Sequence, residues 1–334
     1  MPWTRVLNIR DPLLSRNAIV GCDFETFPTK RGNFQADITQ IEFNRLRMLR
    51  YHLNLPQVST ISLKPGRTVI GFLTQHHSST HHYRGARLEP GDIVINNSDE
   101  VHQRAGADLH GGAMSLSVDE LTAMLETVVG RNFLEKMNRP VVRPSPALMS
   151  RLLKLHKAVG QLAHDTPEIL QLPEVCWALE EQLSHLMVRC LAEGVGVEIT
   201  AGCRRHDAVI SRFEDFLAAH PDRPLHLTEI CAAIGVAERT LRAACEEHLG
   251  MGPIRFLTLR RMYLVRRALL AANAMKTSVT RIVTDHGFWE LGRFSVAYRT
   301  LFGESPSETL RRPPDQPKAF SIPIESNPGL GFLC

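Results

Sequence analysis

Short apolar runs, many of them rich in β-branched residues, fill the chain up to about Ser117. The clearest are NRLRMLRYHLNL, VSTISL, TVIGFL and DIVINN, and the first of these alternates apolar and polar positions. Gly, Pro and Asn bound these runs, and such spacing is typical of short strands that bury one face. Because no helical pattern separates them, the runs predict a β-barrel or a β-sandwich.

Helical periodicity begins after Ser117. Ser117 followed by Glu120 forms a capping-box pattern, and apolar residues recur at helical spacing over 148–163 and 173–193. The last of these helices carries a continuous apolar stripe: Leu179, Leu183, Leu186, Met187 and Cys190. Such a stripe has to be buried, either against the chain's own barrel or in the seam of a homodimer. Its five side chains are the candidate dimer contacts.

Composition divides the chain into four parts. The stretch GVGVEITAGCRR, residues 194–205, is rich in glycine and lacks a helical stripe, so it predicts a linker. Residues 313–334 are rich in proline and predict a disordered tail. The N-terminal domain then spans residues 1–193 and the C-terminal domain spans 206–312.

The C-terminal domain contains a similar helical pattern twice. In LTEICAAIGVAERTLRAACEEHLG, a short helix capped by Thr228 leads to a turn at Gly235, and the second helix turns Leu241 and Cys245 inward. In SVTRIVTDHGFWELGRFSVAYRTLFG, the turn is at Gly287 and the second helix ends at another glycine. Both stretches have the spacing of a helix-turn-helix unit.

One long helix is predicted between the two units, over residues 253–272. At 1.5 Å per residue this helix is about 28 Å long. Successive major grooves on one face of DNA are about 34 Å apart. A rigid helix of this length would place two recognition helices in adjacent major grooves.

The net charge of +4 comes from this same part of the chain. Residues 1–203 hold 21 basic and 21 acidic side chains, whereas residues 204–312 hold 17 basic and 12 acidic ones. Sixteen of those 17 are arginine, whose planar fork of donors suits phosphates and the guanine edge. The asymmetry favours a nucleic-acid partner.

The stretch GFWELGRFSVAYRTLFGESPSETLR resembles the second helix-turn-helix unit of the AraC/XylS family of bacterial transcription regulators, and its LGRF, YR and FGE elements are closest to the XylS-like branch. The resemblance implies a two-domain α+β protein. Its N-terminal domain would be a cupin-like β-barrel with trailing helices, and its C-terminal domain would be all-α, with two helix-turn-helix units joined by a long helix.

The same resemblance implies a function. Such a protein would be a homodimer that binds double-stranded promoter DNA and recruits RNA polymerase. A small-molecule effector in the N-terminal barrel would control it, and activation is expected rather than repression. The XylS-like branch suggests an aromatic carboxylate as that effector.

The outward faces of the two second helices supply the candidate DNA contacts. In the first unit they are Arg239, Thr240, Arg242 and Ala243. In the second unit they are Glu290, Gly292, Arg293, Ser295 and Arg299. An arginine here can grip guanine O6 and N7 with two hydrogen bonds, worth about 1–3 kcal/mol of discrimination. Glu246 and Glu247 add negative charge to the first unit, which is therefore expected to bind DNA more weakly.

A histidine-rich run, HHSSTHH, supports a rival interpretation. The histidines concerned are His76, His77, His81 and His82, with His102 and His110 downstream. Histidines on separate strands of a cupin barrel can hold a metal, which would make the protein a metal-dependent enzyme or a metal sensor. However, the sequence lacks the His-x-His and glutamate pattern of catalytic cupins, so a solvated loop is the simpler interpretation.

We therefore predict no metal, no cofactor and no catalytic residue. A third hypothesis is an architectural DNA-binding protein that responds to no effector.

Cysteine usage and hydropathy indicate a cytoplasmic protein. The seven cysteines are scattered without a Cys-x-x-Cys pair, which favours reduced thiols over disulfides or a structural zinc site. No apolar run approaches the ~18 residues that a membrane span requires. The first residues contain charges and lack the apolar core of a secretory signal. No membrane association is expected.

Overall fold

The computed structural model describes residues 2–15, 18–75, 80–96, 100–129, 140–220, 225–312 and 318–322. The strands in these ranges are β1 (Trp3–Ile9), β2 (Cys22–Pro28), β3 (Ala36–Glu42), β4 (Arg47–Leu53), β5 (Gln57–Leu63), β6 (Arg67–Leu73), β7 (His81–Tyr83), β8 (Ala86–Leu88), β9 (Ile93–Asn96), β10 (Glu100–Ala105), β11 (Leu109–Ser117), β12 (Val141–Arg143), β13 (Val195–Gly196) and β14 (Lys318–Ile322). The helices are α1 (Val118–Val129), α2 (Pro146–Asp165), α3 (Pro173–Glu193), α4 (Ala201–Ala219), α5 (Leu227–Ile234), α6 (Glu238–Leu249), α7 (Pro253–Ala271), α8 (Val279–Asp285), α9 (Leu291–Phe302) and α10 (Pro306–Arg311). Two short 3-10 helices cover Pro12–Ser15 and Pro167–Gln171.

The N-terminal strands form two antiparallel sheets that enclose an apolar interior. Sheet A has the order β13-β12-β9-β6-β11-β4-β3-β1-β14, and sheet B has the order β2-β5-β10-β7-β8. Side chains from both sheets pack together between them, among them Phe24 of sheet B with Ile38 and Leu53 of sheet A. The sequence-based prediction of a barrel up to Ser117 is confirmed, since β11 ends at that residue.

The three helices that follow the barrel cover sheet A. Helix α1 begins at the predicted capping box, where the Glu120 amide donates to Ser117 Oγ at 3.2 Å. Met48 and Ile70 of the sheet pack with Leu152 of α2 and with α3 in one buried cluster. Sheet A therefore buries both faces, one against the barrel interior and one against helices.

The apolar stripe of α3 lies inside this cluster. Leu183, Met187 and Cys190 are fully buried, and Leu186 is 8% exposed. Leu179 is partly buried and packs against the same cluster. Four of the five side chains are buried in their own chain and are not available to a second one, whereas Leu179 is only partly buried. The predicted dimer seam is wrong for this stripe, although α3 itself has the expected bounds.

Two sequence-based boundaries also need correction. Helix α4 begins at Ala201, where Thr200 Oγ1 accepts a hydrogen bond from the Cys203 amide at 3.1 Å, so residues 201–205 of the predicted linker are helical. Strand β14 pairs with β1, so disorder is the wrong prediction for Lys318–Ile322. The rest of the predicted tail lies outside the described residues. No described helix is both long and apolar enough to cross a membrane.

The C-terminal helices pack around two cores, and the first core is shared with the barrel. Phe27 of β2 and Val58 of β5 join the cluster built by helices α4 to α7. The Phe27 ring meets the Phe256 ring edge-on at 6.3 Å between centroids, and it lies 5.3 Å from the Tyr263 ring. Sheet B is therefore covered on its outer face by the helical domain.

The burial of Leu183 leads to a prediction about stability. Leu183→Ala should lower the free energy of unfolding by about 2–5 kcal/mol, because it leaves a cavity in a packed core. Urea denaturation of the purified chain measures this change, and Gln182→Ala, at an exposed neighbouring position, is the matched control. If Leu183→Ala unfolds at the same urea concentration as the wild type but no longer forms a homodimer, the stripe would be a dimer interface after all.

Candidate nucleic-acid interface and ligand cavity

The first helix-turn-helix unit consists of α5, a turn at Gly235 and α6. Gly235 has φ of 68°, a left-handed conformation that glycine adopts without strain, and the Val236 amide donates to Cys231 O at 3.1 Å. Leu241 and Cys245 are fully buried in the shared core. The helix begins at Leu227, so Thr228 lies in its first turn and is not the cap that the sequence predicted. The predicted contacts Arg239, Thr240, Arg242 and Ala243 are all exposed.

The second unit consists of α8, a turn at Gly287 and α9. Ser278 Oγ caps α8 by accepting from the Arg281 amide at 3.2 Å. Phe294 and Tyr298 are buried, and the Tyr298 hydroxyl donates to Thr309 Oγ1 at 2.9 Å. These contacts fix the rotation of α9 about its axis. The predicted contacts of this unit are all exposed: Glu290, Gly292, Arg293, Ser295 and Arg299.

The arginines on these two faces differ in their partners. Arg242 pairs with Glu238 at 2.7 Å, and Arg293 pairs with Glu290 at 2.8 Å. Within the described ranges, no carboxylate lies within 4.0 Å of Arg239 or Arg299. Arg239 and Arg299 can therefore bind an anion or a base without first giving up an ion pair.

The linking helix α7 does not present all its arginines to solvent. Arg266 is 7% exposed and pairs with Glu304 at 2.6 Å and with Asp11 at 3.2 Å. The Arg261 guanidinium lies 5.0 Å from the centre of the Phe288 ring. Arg266 ties α7 to the start of α10 and to the barrel, so it is a structural residue and not a phosphate contact.

Two exposed apolar side chains near α9 were not among the predicted contacts. Trp289 is 77% exposed and Val296 is 69% exposed. Val296 follows Arg293 and precedes Arg299 by three residues each, so it lies on the same helical face. An apolar side chain in the major groove can contact the thymine methyl group. Val296 could have been predicted from the sequence, because it is an apolar residue three positions from both Arg293 and Arg299 on the outward face of the helix.

The barrel encloses a cavity of about 130 Å³ between its two sheets. Most of its lining is apolar, including Phe24, Ile38, Met48, Leu53, Ile61 and Phe72. Arg47, Lys64 and Arg67 also line it. Arg47 pairs with Glu42 at 2.8 Å, whereas Arg67 donates to the carbonyl oxygens of Arg45 and Ser115. The cavity thus combines an apolar interior with positive charge.

The histidine run contributes to this cavity rather than to a solvated loop. His81 belongs to β7, is 4% exposed and bonds through Nε2 to Gln103 Oε1 at 3.1 Å. Burial lowers the pKa of His81 to about 4, so its ring is neutral. His82 is the next residue of β7, while His76 and His77 lie outside the described residues. The predicted loop is therefore wrong for His81 and His82.

The described histidines of that prediction do not converge on one metal position. His110 stacks on His52 with ring centroids 4.1 Å apart, whereas His102 lies at the contact between the domains. None of the possible metal-binding groups among the described residues contains His81, His82 or His102. His110 instead forms a possible metal-binding group with His52 and Asp108 on the barrel, so the predicted histidines do not share one site.

A buried ion pair joins the barrel to helix α4, which packs against the first helix-turn-helix unit. His102 of β10 faces Glu214 of α4, and both are less than 8% exposed. Thr60 also donates to Glu214 Oε2 at 3.1 Å. Burial alone would lower the pKa of His102, but the Glu214 carboxylate outweighs this effect and the pKa is raised. The protonated ring is therefore favoured at this contact.

Comparisons of the sequence with known proteins point to one family. A family model described as a helix-turn-helix domain matches residues 230–312. A probable thc operon regulatory protein of Rhodococcus erythropolis is 28% identical over 297 residues, which cover 83% of this chain and 80% of that protein. A XylDLEGF operon transcriptional activator 1 of Pseudomonas putida is 35% identical over 225 residues, 67% of this chain and 66% of that protein. The chain belongs to the AraC/XylS family of transcription regulators.

A solved structure of the AraC-like transcriptional activator CuxR covers 78% of this chain and 91% of its own, with 14% identity and a TM-score of 0.38. That likeness is too low for comparison of individual residues. The family and the two-domain fold predicted from the sequence are confirmed, and the helix-turn-helix units are those of an AraC/XylS regulator. Which of their residues contact DNA stays a prediction.

Arg299→Ala tests the orientation of α9 in this AraC/XylS regulator. The change should weaken binding to the preferred DNA sequence by about 1–3 kcal/mol and relax the preference at one base pair, because a bidentate grip is lost. Binding to a set of single-base operator variants measures both effects. Arg151→Ala, an exposed arginine on α2, is the control. Unchanged binding to every operator variant would show that this face does not enter the groove.

The His102–Glu214 pair gives a pH prediction. The raised folded-state pKa means that this contact contributes stability below the unfolded value of about 6.5 and loses it as pH rises through the folded value. The thermal midpoint of wild type should therefore fall relative to His102→Gln as pH increases past neutrality. His185→Gln, at an exposed position on α3, is the control. Parallel pH profiles for wild type and His102→Gln would contradict the assignment.

Proposed function

We propose that this AraC/XylS regulator is a sequence-specific activator whose DNA binding is controlled by a small molecule in the N-terminal barrel. The observation that carries the proposal is the position of strand β10 between the two sites. Gln103 lines the barrel cavity, and its neighbour His102 contacts Glu214 of the DNA-binding domain. One strand therefore touches both the ligand cavity and the helices that hold the first recognition helix.

DNA would be bound by the exposed faces of α6 and α9. Arg239 and Arg299 are the leading base contacts, because no ion pair within the described residues competes for them. Arg242 and Arg293 would exchange their intrahelical carboxylates for DNA, and Thr240 and Ser295 would add hydroxyl contacts. The remaining predicted contacts, Ala243, Glu290 and Gly292, would shape the fit at the same faces.

The cavity favours a small apolar effector that carries a negative charge. A volume of about 130 Å³ is close to that of apolar protein cavities, about 150 Å³, that take up benzene. Arg67 supplies guanidinium donors at the cavity wall, and Lys64 lies beside it. A hydrogen bond between charged groups in such a site contributes about 1.5–3 kcal/mol. A one-ring carboxylate satisfies both requirements.

Ligand binding in the cavity would be transmitted to the DNA-binding domain through β10, because successive side chains of this strand point to opposite sides. Gln103 points to the cavity, where it bonds His81, while Arg104 on the opposite face packs against Gly250 at the end of α6. A Cβ added at Gly250 would lie 2.2 Å from Arg104 Nη1, so the two elements are in close contact. A ligand that shifts Gln103 would therefore move groups that touch the first recognition helix.

The protein is further proposed to act as a cytoplasmic homodimer that recruits RNA polymerase at promoter DNA. Family membership supports this part of the proposal, since the relatives named above are an operon regulator and an operon activator. The dimer contacts must lie elsewhere than on the buried stripe of α3. Trp177, 61% exposed on the solvent side of α3, is the first position to examine.

Recovery of genomic DNA fragments by the purified full chain tests the DNA-binding part. The binding reactions should be run at about 150 mM salt, because phosphate contacts alone weaken steeply with salt. A shared motif with half-sites about one helical turn apart supports the regulator. Salt-sensitive binding without any motif, with and without carboxylate ligands, would favour an architectural protein.

Arg67→Met tests the effector site. We expect this variant to bind benzoate and related one-ring carboxylates more weakly by about 1.5–3 kcal/mol, because it removes a charged donor from the cavity. Calorimetric affinities for benzoate and for its uncharged analogue benzamide separate the contribution of charge from that of shape. The DNA affinity of Arg67→Met without ligand should equal that of the wild type. Arg87→Met, at an exposed position on β8, is the control. Equal affinity of Arg67→Met and wild type for every carboxylate would remove Arg67 from the site.

A further inference from the structure

Three potential metal ligands converge where α4 packs against the end of α6. Cys203 lies in the first turn of α4, and Glu247 and His248 lie in the last turn of α6. Their thiol, carboxylate and imidazole ligand atoms all lie within 4.8 Å of one another. The cluster is separate from the barrel cavity and from the DNA-facing surfaces of α6 and α9.

The imidazole of His248 is buried and has no hydrogen-bond partner. The residue is 2% exposed, and neither ring nitrogen is hydrogen-bonded to any group in the described part of the chain. Buried polar groups normally have a partner, so an orphaned ring indicates a ligand that completes the site. Burial lowers the pKa of His248, which leaves the neutral form that binds metals.

The groups around the cluster are arranged to support a cation. Glu247 Oε2 contacts His206 Nδ1, which orients the carboxylate from one turn along α4. Asp207 Oδ1 lies 4.0 Å from His248 Nδ1, while Asp207 Oδ2 pairs with Arg84 Nε at 3.1 Å. Second carboxylates and hydrogen-bonded partners of this kind orient ligands and raise their basicity in known metal sites.

We propose that Cys203, Glu247 and His248 bind one zinc ion, with a water molecule in the fourth position. Thiolate, imidazole and carboxylate are all zinc ligands, with bonds of about 2.0–2.3 Å in tetrahedral geometry. That geometry needs ligand atoms about 3.3–3.8 Å apart. The ligand atoms lie within 4.8 Å of one another, so each separation has to contract by at most about 1.5 Å. The thiolate and the carboxylate together neutralise the charge of Zn²⁺.

Binding releases the Cys203 proton to solvent. Burial and the neighbouring carboxylates raise the pKa of this thiol to about 11, so without a metal it stays protonated, and its sulfur lies 3.2 Å from the Arg84 carbonyl oxygen. Zinc stabilises the thiolate and displaces that proton.

Zinc at this position would join helix α4 to the end of helix α6, the first recognition helix. The site lies next to the turn between β7 and β8. A Cβ added at Gly85 in that turn would lie 2.5 Å from His248 Nε2, so the hairpin is in direct contact with the site. The metal would hold α4 and α6 together, and the hairpin would pack against one of its ligands.

The test uses the full-length chain without an affinity tag, stripped of metal by a chelator. Titration with Zn²⁺ against a competing chelator should give one equivalent per chain, and Co²⁺ should give a thiolate charge-transfer band. Cys203→Ser should abolish that band and weaken zinc binding by at least about tenfold. Glu247→Gln, at a partly exposed position, should weaken binding without disturbing the fold, as checked by circular dichroism.

Cys231→Ser on α5 is the matched control, because this cysteine is partly buried and belongs to no ligand group among the described residues. The proposal is overturned if the wild type binds no zinc or if Cys203→Ser binds it with unchanged affinity. It is also overturned if zinc is lost on His52→Ala instead. That result would place the ion at the cluster of His52, Asp108 and His110, where Asp108 is 71% exposed at the surface.

Discussion

Sheet B has two apolar faces, and only the helical domain covers the outer one. Phe27 and Val58 of the sheet belong to the same buried cluster as Phe213 and Phe256 of the DNA-binding helices. Each large apolar side chain contributes about 1.5–3 kcal/mol when it is removed from water. Separation of the domains would expose both sides of this contact. The sensor and the first helix-turn-helix unit therefore share one core, and a change in the sheet reaches the helices directly.

Polar groups at this contact determine how the two domains are oriented. The His102–Glu214 pair is buried on one side, Arg266 reaches Asp11 on another, and the Tyr263 hydroxyl donates to the Pro28 carbonyl at 3.1 Å. Buried ion pairs cost desolvation and are stable only in good geometry, so they add little net stability but penalise other arrangements. They therefore favour one relative orientation of barrel and helices. The proposed zinc site lies beside this contact, within the helical domain, and would fix α4 relative to α6.

The faces of the recognition helices could be predicted because their causes are local. A helical period of 3.6 residues fixes which side chains share a face, and glycine at a left-handed turn fixes where one helix ends. Leu241 and Tyr298 are buried, and Arg239 and Arg299 are exposed, as this period requires. The buried position of Arg266 could not be found in this way. Its partners come from the first residues of the chain and from the loop before α10.

The sequence by itself determined the two helix-turn-helix units, the long helix between them, the β-rich first domain and the family. Those features depend on residues close together in the chain. The tertiary structure alone decided what covers the α3 stripe, because hydrophobic burial has no direction and either a barrel or a second chain would satisfy it. It also decided that His81 faces a cavity. Cys203 and His248 lie 45 positions apart, and only the packing of α4 on α6 brings them together.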